Sequence, residues 1–551
     1  MRARSAESFS LRFNRGNAMS DNNNKITQAM HDSGLPRRDF LKYSAAAVAV
    51  AGAFSMGLPQ RGWAGEATPK AGGVLRMGLA GGSTTDSRDP GSWSDTFTFV
   101  GFSAVYNTLS EIGVDGTAIP ELAERWESSP DARIWTFTLR QGVTFHNGKT
   151  LDAGDVVASI GHHLGDKSTS AAKTVLGDVA KVSAQGNDTV VFELHSGNAD
   201  FAYVVADYHL VIMPAKDGAA DWQAGIGTGG YRLKGFEPGV RMDLERSPDY
   251  WKAGRAHFAS AELLAIADGA ARVNALVTGQ VDVINKVDLK TVALLKRNPN
   301  LVIEETKGAQ HYTFPMLTDS QQFQDNNIRL ALKHAINRET LLASVLYGYG
   351  QIGNDHPIQP GSRFINSALE QRGYDPDKAR FYLRQAGVDS LKVRLQASDA
   401  AYTGAVDASV LFKEQARQAG IDIDVVREPA DGFFSNVWMK QPFTTSFWYS
   451  SLTADRMFSI GYAKGAAWNE THWDNARFNQ LLNAARGEMN APLRQEMYNE
   501  MQALCRDEGG AIVPLFASSV AARSKRVAHG GLTAPYGELD GLRLIERWWQ
   551  A

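Results

Sequence analysis

The sequence predicts an α/β protein of several lobes with mixed sheets, and three observations carry that prediction. The chain has 551 residues, more than one ordinary hydrophobic core serves, so about two to four domains are expected. Between Leu263 and Val302 the pattern runs strand, helix, strand, helix. Leu391 to Gln396 and Ile421 to Val426 read as strands around a helix from Val410 to Gln418, a βαβ unit that implies a parallel sheet under helices.

Along the chain, the first 35 residues are polar and mixed. Pro36-Arg37-Arg38-Asp39-Phe40-Leu41-Lys42 then precedes a small apolar run from Ala45 to Leu58. That run is too short to span a bilayer as a stable helix and fits the core of an export signal. Paired arginines directly before it resemble the twin-arginine signal. Gly62-Trp63-Ala64 offers small residues for cleavage, with Ala67 a second option, and Met19 or Met30 is a candidate start. Residues 1–64 are therefore expected to be an N-terminal extension and signal peptide, and the protein is expected in the periplasm.

Gly73 to Leu79 reads as a buried first strand, broken by Gly81-Gly82 and Asp89-Pro90-Gly91. Ile134 to Arg140 alternates strictly, with Trp135, Phe137 and Leu139 on one face. Asp152 and Asp155 form a capping box that opens a helix through Val156, Val157 and Ile160. Thr189 to Leu194 is another strand. Asn326-Asn327 starts a long helix, with Ile328, Leu332, Ala335 and Ile336 on one face and Gly348 at its end. Asp375 caps a further helix with Pro376 at its first position and Gly387 after it. Helices from Asn475 to Arg486 and from Pro492 to Asp507 follow, and a strand from Ala511 to Phe516 returns near the end.

Composition removes several classes of function. A net charge of -3 supplies no basic field for nucleic acid. The single cysteine, Cys505, allows no intramolecular disulfide and no CxxC site, and its helical pattern with Leu493, Met497, Met501 and Leu504 makes it a core residue. Gly225, Gly227 and Gly230 satisfy GxGxxG, but a strand-like segment follows where a dinucleotide site needs a helix, so the glycines read as a turn. His162-His163 is the one adjacent histidine pair. Neighbours on a helix point about 100° apart and do not converge on a metal. No nucleophile–base–acid motif or paired carboxylate is recognisable from spacing, and no cofactor and no metal are expected.

The residues also resemble a family. Pro120 with Glu121-Leu-Ala-Glu-Arg-Trp126, Trp135 to Gly142, Phe145 to Gly148, Gly227-Thr-Gly-Gly-Tyr231 with Asp249-Tyr-Trp251, Asp325 to Arg338, and Tyr374 to Gly387 occur in one order across nearly the whole chain after the signal. They are similar to the marks of the solute-binding proteins of dipeptide, oligopeptide and nickel importers, family 5 of the extracytoplasmic solute-binding proteins of ABC transporters. The resemblance implies the two-lobed periplasmic-binding-protein fold (class II, type C), with an extra inserted subdomain and two hinge strands. Lobe 1 is expected at 65–312 plus 514–551, with the insertion at about 117–225, and lobe 2 at 313–513. The hinges are expected near His311 to Pro315 and Val513 to Phe516. It also implies a monomer that captures a small-molecule or peptide ligand and delivers it to permease subunits in the inner membrane.

In the dipeptide-binding relatives an aspartate grips the ligand ammonium after a strand whose counterpart here is Phe447-Trp448-Tyr449-Ser450-Ser451, so Ser451 stands in its place. Their carboxylate-binding arginine falls in the loop from Ala397 to Tyr402, which has none; Asp399 or Ala400 takes its position. The ligand-binding set expected on this basis is Trp448, Tyr449, Ser451, Asp399, Tyr402, Asp455, Arg456 and His356, with Asp455 and Arg456 in a loop. Trp448 and Tyr449 supply an aromatic wall for an amine, a longer peptide, an opine-like conjugate or a sugar-like solute, and an Asp399 facing the cleft favours a cationic group. The alternatives are a nickel or metal-chelate binder of the same family and an exported enzyme. Changing Arg37 and Arg38 together to lysine is expected to leave unprocessed precursor in the cytoplasm. Cell fractionation reads this directly, and mature protein still reaching the periplasm would refute the twin-arginine route.

Overall fold

The computed structural model describes residues 69–551 apart from 166, 167 and 532; the expected signal segment lies outside the described residues. A nine-stranded sheet runs through the molecule. Its strands in chain order are β1 (Val74–Leu79), β2 (Tyr231–Glu237), β3 (Arg241–Arg246), β4 (Ser260–Ala265), β5 (Val283–Ile284), β6 (Leu301–Pro315), β7 (Gly350–Ile352), β8 (Ser446–Tyr449) and β9 (Ala511–Ser524). Their spatial order is β2-β3-β4-β1-β5-β9-β6-β8, with β7 also on β9. β1 is parallel to β4 and β5, and its Leu75, Met77 and Leu79 are fully buried. The remaining pairs are antiparallel.

The sheet serves two lobes because β6 and β9 are long. Leu301 and Ile303 at the start of β6, with Val520 and Ala522 of β9, pack beside the first lobe. Tyr312, Phe314, Leu515 and Ala517 at the other ends belong to the core of the second. The two strands pair from Leu301–Ser524 to Pro315–Ala511, but the register shifts between Thr306 and Gln310. Gly308 lies in that break with φ +66°, and a side chain there would collide with Gln359. A second register shift, between Tyr312 and Phe314, lies inside the His311–Pro315 segment in which the hinge is expected. The returning strand is also longer than its pattern suggests, running on to Ser524.

The first-lobe core joins β1 to helix α1 (Thr96–Val105) and to the C-terminal Leu544 and Trp548. An inserted unit packs Trp135, Phe137, Phe192 and Phe201 under a four-stranded antiparallel sheet. Its helix Ala153–Leu164 opens with the expected reciprocal capping box of Asp152 and Asp155. The second lobe holds the βαβ unit: Leu391–Ala397 and Ile421–Arg427 pair in parallel, with the helix Ala405–Ala416 between them in sequence. A helical cluster around Phe458, Phe478, Tyr498 and Cys505 completes it. The helix expected from Asn326 to Gly348 is instead two, α2 (Asn326–His334) and α3 (Arg338–Val345). The Asn337 side chain accepts from the Thr340 N–H and caps α3, a local bond that competes with helix continuation. The fully buried Arg338 then pairs with Asp355 at 2.7 Å. The GxGxxG glycines run through a turn at Gly225 and a bend at Gly230 into the strand β2, with no helix after them; a side chain at Gly227 would strike the Val105 carbonyl.

A buried ionic network ties insertion, first lobe and C-terminal tail together. Lys252 contacts Glu111, Glu121 at 2.8 Å and Glu546 at 3.1 Å. Arg543 contacts Glu121 at 2.7 Å, and Arg547 contacts Glu111 and, at 2.9 Å, Asp540. Burial pushes Glu111 up, but Lys252, Arg543 and Arg547 outweigh it and hold its carboxyl well below the usual range. A second cluster closes the far end of the β6–β9 pair: Glu304 lies 2.6 Å from Arg523 and 3.2 Å from His529, whose ring stacks on Trp548. Burial lowers the His529 pKa, yet Glu304 more than offsets it, so the folded value is raised. Charged His529 therefore contributes stability that is complete below the ordinary histidine pKa of about 6.5 and is lost as pH rises through the raised value. Thermal unfolding is expected to show His529→Gln losing more stability at pH 6 than at pH 9, relative to the parent chain. An equal loss at both would show that the ion pair contributes nothing.

Candidate functional site

Between the lobes lies a cleft of two adjoining chambers. The inner one, about 320 Å³, takes Tyr106, Asp207, Tyr208 and Tyr536 from the first-lobe side. The second lobe contributes Trp448, Tyr449, Ser451, Arg456 and Trp468. The outer chamber, about 570 Å³, is bounded by Asp115, Glu305, Lys307, Gln359 and Arg363. Ser450, Ser451, Leu452 and Tyr536 line both, so these residues divide the cleft.

The aromatic wall is held from behind. Trp448 is the last residue but one of β8, which pairs with β6 through His311–Trp448. Its indole N–H donates to Glu470 at 2.9 Å, and the same buried carboxylate accepts from the Trp438 indole at 2.7 Å and the Thr313 hydroxyl at 2.8 Å. Burial drives the Glu470 pKa above the usual carboxylate range, against these donors. Trp448 faces Trp468 with ring centroids 6.2 Å apart. Tyr449 is 68% exposed and forms the rim.

Helix α4 (Ala454–Gly461) begins at the cleft, with Thr453 as its cap accepting from the Arg456 N–H. Asp455 and Arg456 therefore lie in its first turn rather than in a loop. Helical neighbours point about 100° apart, which separates the two. Arg456 enters the inner chamber and lies 3.5 Å from Asp207 of the opposite lobe. Asp455 turns back to Arg486 of α5 (Ala476–Gly487) at 3.2 Å. Burial keeps the Asp455 carboxyl above its usual range in spite of Arg486. Asp207 behaves oppositely: burial pushes it up, but hydrogen bonds from His209 and the charge of Arg456 hold it below.

The structure brings Trp448, Tyr449, Ser451 and Arg456 together in the cleft wall; the other expected residues stand elsewhere. Asp399 is exposed, 3.7 Å from Arg427 at the end of the parallel strand pair, and accepts from the Val406 N–H. Tyr402 is buried in the second-lobe core, stacked on Tyr312 at 3.7 Å. His356 is buried beside Asp355, and burial pushes its pKa down to about 4. Tyr106, Asp207, Tyr208, Trp468, Tyr536 and Arg543, all in the inner wall, were not singled out by sequence reasoning. They come from separated segments with no shared motif. Among the described residues no group of three or more His, Cys, Asp or Glu side chains is placed to hold a metal, and no helix is long and apolar enough to cross a membrane.

Two lobes on one pair of crossing strands, with a cleft walled by both, define a solute-binding protein of the periplasmic-binding type. The chain belongs to the bacterial extracellular solute-binding proteins, family 5, whose middle-region model matches residues 117–469. It is 25% identical over 457 residues to the peptide transport periplasmic protein SapA of Salmonella typhimurium, covering 76% of this chain and 82% of that one. It is 25% identical over 356 residues to the nickel-binding periplasmic protein of Escherichia coli, covering 60% and 67%. The structure of HbpA2 from Haemophilus parasuis superposes with a TM-score of 0.76 at 22% identity, over 85% of this chain and 99% of that one. The expected fold and class, a solute-binding component of an ABC importer, hold.

The lobes meet beside the cleft through a buried ion pair. Asp200 of the insertion accepts two hydrogen bonds from Arg494, at 2.9 and 2.6 Å, with both side chains under 5% exposed. Arg494 lies in α6 (Ala491–Glu508) of the second lobe. The Ala199 N–H donates nearby to the Arg486 carbonyl at 2.7 Å. Removing one partner of a buried pair strands the other and costs about 3–5 kcal/mol. Arg494→Met is expected to open the lobes in solution or to lower stability by about that amount. Small-angle scattering and denaturant unfolding check it; a chain unchanged in both would show the contact to be idle.

Proposed function

We propose that this protein captures a peptide-like or related small solute in the cleft between its lobes and delivers it to permease subunits in the inner membrane. The observation that carries the reading is Trp448, fixed by Glu470 and lining one chamber together with Tyr208 and Asp207 of the other lobe. A solute in that position touches both lobes at once. It therefore binds the closed arrangement better than the open one and shifts the population toward closure. The break in the β6–β9 ladder at Lys307 to Ala309, opposite Ser518, is the natural pivot, since few backbone bonds there resist rotation. The lobe boundaries then fall at that break. SapA, a peptide transport protein by its description, supports the peptide-like class.

Free dipeptides fit poorly. Ser451 carries no charge where an ammonium partner is expected, and Asp399 faces solvent. Burying a zwitterion without partners would cost several kcal/mol per charge. The protein acts as a monomer, exported through its twin-arginine signal, and performs no chemistry on its ligand. Trp448→Ala is expected to abolish detectable binding of the solute that co-purifies with the parent chain, with circular dichroism unchanged. Scattering is expected to show compaction when that solute is added to stripped protein. Consumption of the solute by pure protein would make this an enzyme and overturn the reading.

A further inference from the structure

The wall of the inner chamber carries three ionic side chains, and two of them are already satisfied. Asp207 accepts from both the backbone N–H and the imidazole of His209 through one oxygen and faces Arg456 with the other. Arg543 donates to the two oxygens of Glu121 at 2.7 and 3.1 Å and to Glu546 at 3.3 Å. Arg456 differs. Its side chain is 47% exposed, and its single ionic contact is the 3.5 Å approach of Nη1 to Asp207. Its Nε and Nη2 have no hydrogen-bond partner among the described residues. A guanidinium offers five N–H donors in a planar fork that matches a carboxylate two-pronged.

The Ser451 hydroxyl, where the two chambers meet, has no hydrogen-bond partner, whereas the equally unpartnered Tyr106 hydroxyl is enclosed on the side of Arg88 and Asp221. Asp207 is the sole carboxylate among the lining residues of this chamber, so nothing remains there to receive an ammonium. The outer chamber is mixed, with Lys307 and Arg363 against Asp115 and Glu305.

Resting on the reading of the cleft as the solute site, we infer that the inner chamber is a carboxylate subsite. Arg456 takes the acid group of the solute in place of its long contact to Asp207. Ser451 turns its unpartnered hydroxyl to the same acid group, and Trp448 and Trp468 cover an aromatic or apolar substituent. The solute enters acid end first and runs out toward the mixed outer chamber. The class is an organic acid of peptide-like build, in which a free amino group is not what the inner chamber reads.

Calorimetry with N-acetyl-Ala-Ala-Phe, its C-terminal amide, and unacetylated Ala-Ala-Phe tests this on the exported chain and on Arg456→Gln. The two acids are expected to bind within about threefold of each other and the amide about tenfold or more weaker, as loss of a charge-assisted bond predicts. Arg456→Gln is expected to bring the acids down to the amide and leave the amide where it was. Equal binding of acid and amide, or a variant that weakens all three alike, overturns the subsite. So does a panel in which no acid binds while mass spectrometry of the protein as purified finds a solute without an acid group. That outcome leaves solute capture itself standing; the absence of any bound solute and of any binding overturns both.

Discussion

Everything about this molecule hangs on one backbone ladder. β6 and β9 pair over most of their length, and each contributes side chains to the first lobe at one end and to the second at the other. A chain that crosses out on one strand and returns on its partner gives two bodies joined by a thin, aligned ribbon. The β6–β9 ladder is interrupted at Lys307 to Ala309 and shifts register again between Tyr312 and Phe314. The same region forms the floor of the outer chamber, through Thr306 and Lys307. The ladder break and the cleft wall therefore share consecutive residues, which is why the proposed pivot would respond to a solute in the cleft.

Charge is arranged around that ribbon in two ways. In the first lobe, Lys252, Arg543 and Arg547 are matched so fully by Glu111, Glu121, Glu546 and Asp540 that none faces the cleft unsatisfied. Buried charges are tolerated only when paired and hydrogen-bonded, and this network docks the C-terminal tail that supplies Tyr536 to the site. Across the lobe boundary the pairing is selective. Asp200 and Arg494 are saturated by each other, whereas Arg456 meets Asp207 at a distance that leaves most of its donors open. The first contact is buried and fully paired; the second leaves donors of Arg456 open, as the proposed acid subsite requires.

Much of the fold is legible along the chain because its signals are local. The alternation of Ile134 to Leu139, the Asp152 capping box and the parallel strands around 391–427 require only neighbouring residues to be read. The failures are local signals overruled at a distance or by a cap. Apolar periodicity carries 326–348 as one helix, but Asn337 closes a new cap, and Arg338 is fixed to Asp355. The Ala397–Tyr402 loop looks like a binding loop by its position, yet Tyr402 finds Tyr312 in the core, and Asp399 finds Arg427 on the surface.

The sequence by itself determined the class of this protein: ordered motifs along most of the chain, strand and helix periods, and one aromatic strand end that does face the cleft. Only the tertiary structure decided the site. Tyr106, Asp207, Tyr208, Trp468 and Tyr536 lie hundreds of residues apart at the extremes, and no spacing rule links them. They converge because the two lobes fold on separate cores, share β6 and β9, and touch again through Asp200–Arg494 and Arg456–Asp207. Which side chains then share a wall follows from how those cores pack, and whether a charge in that wall is open to a ligand follows from which partner reached it first.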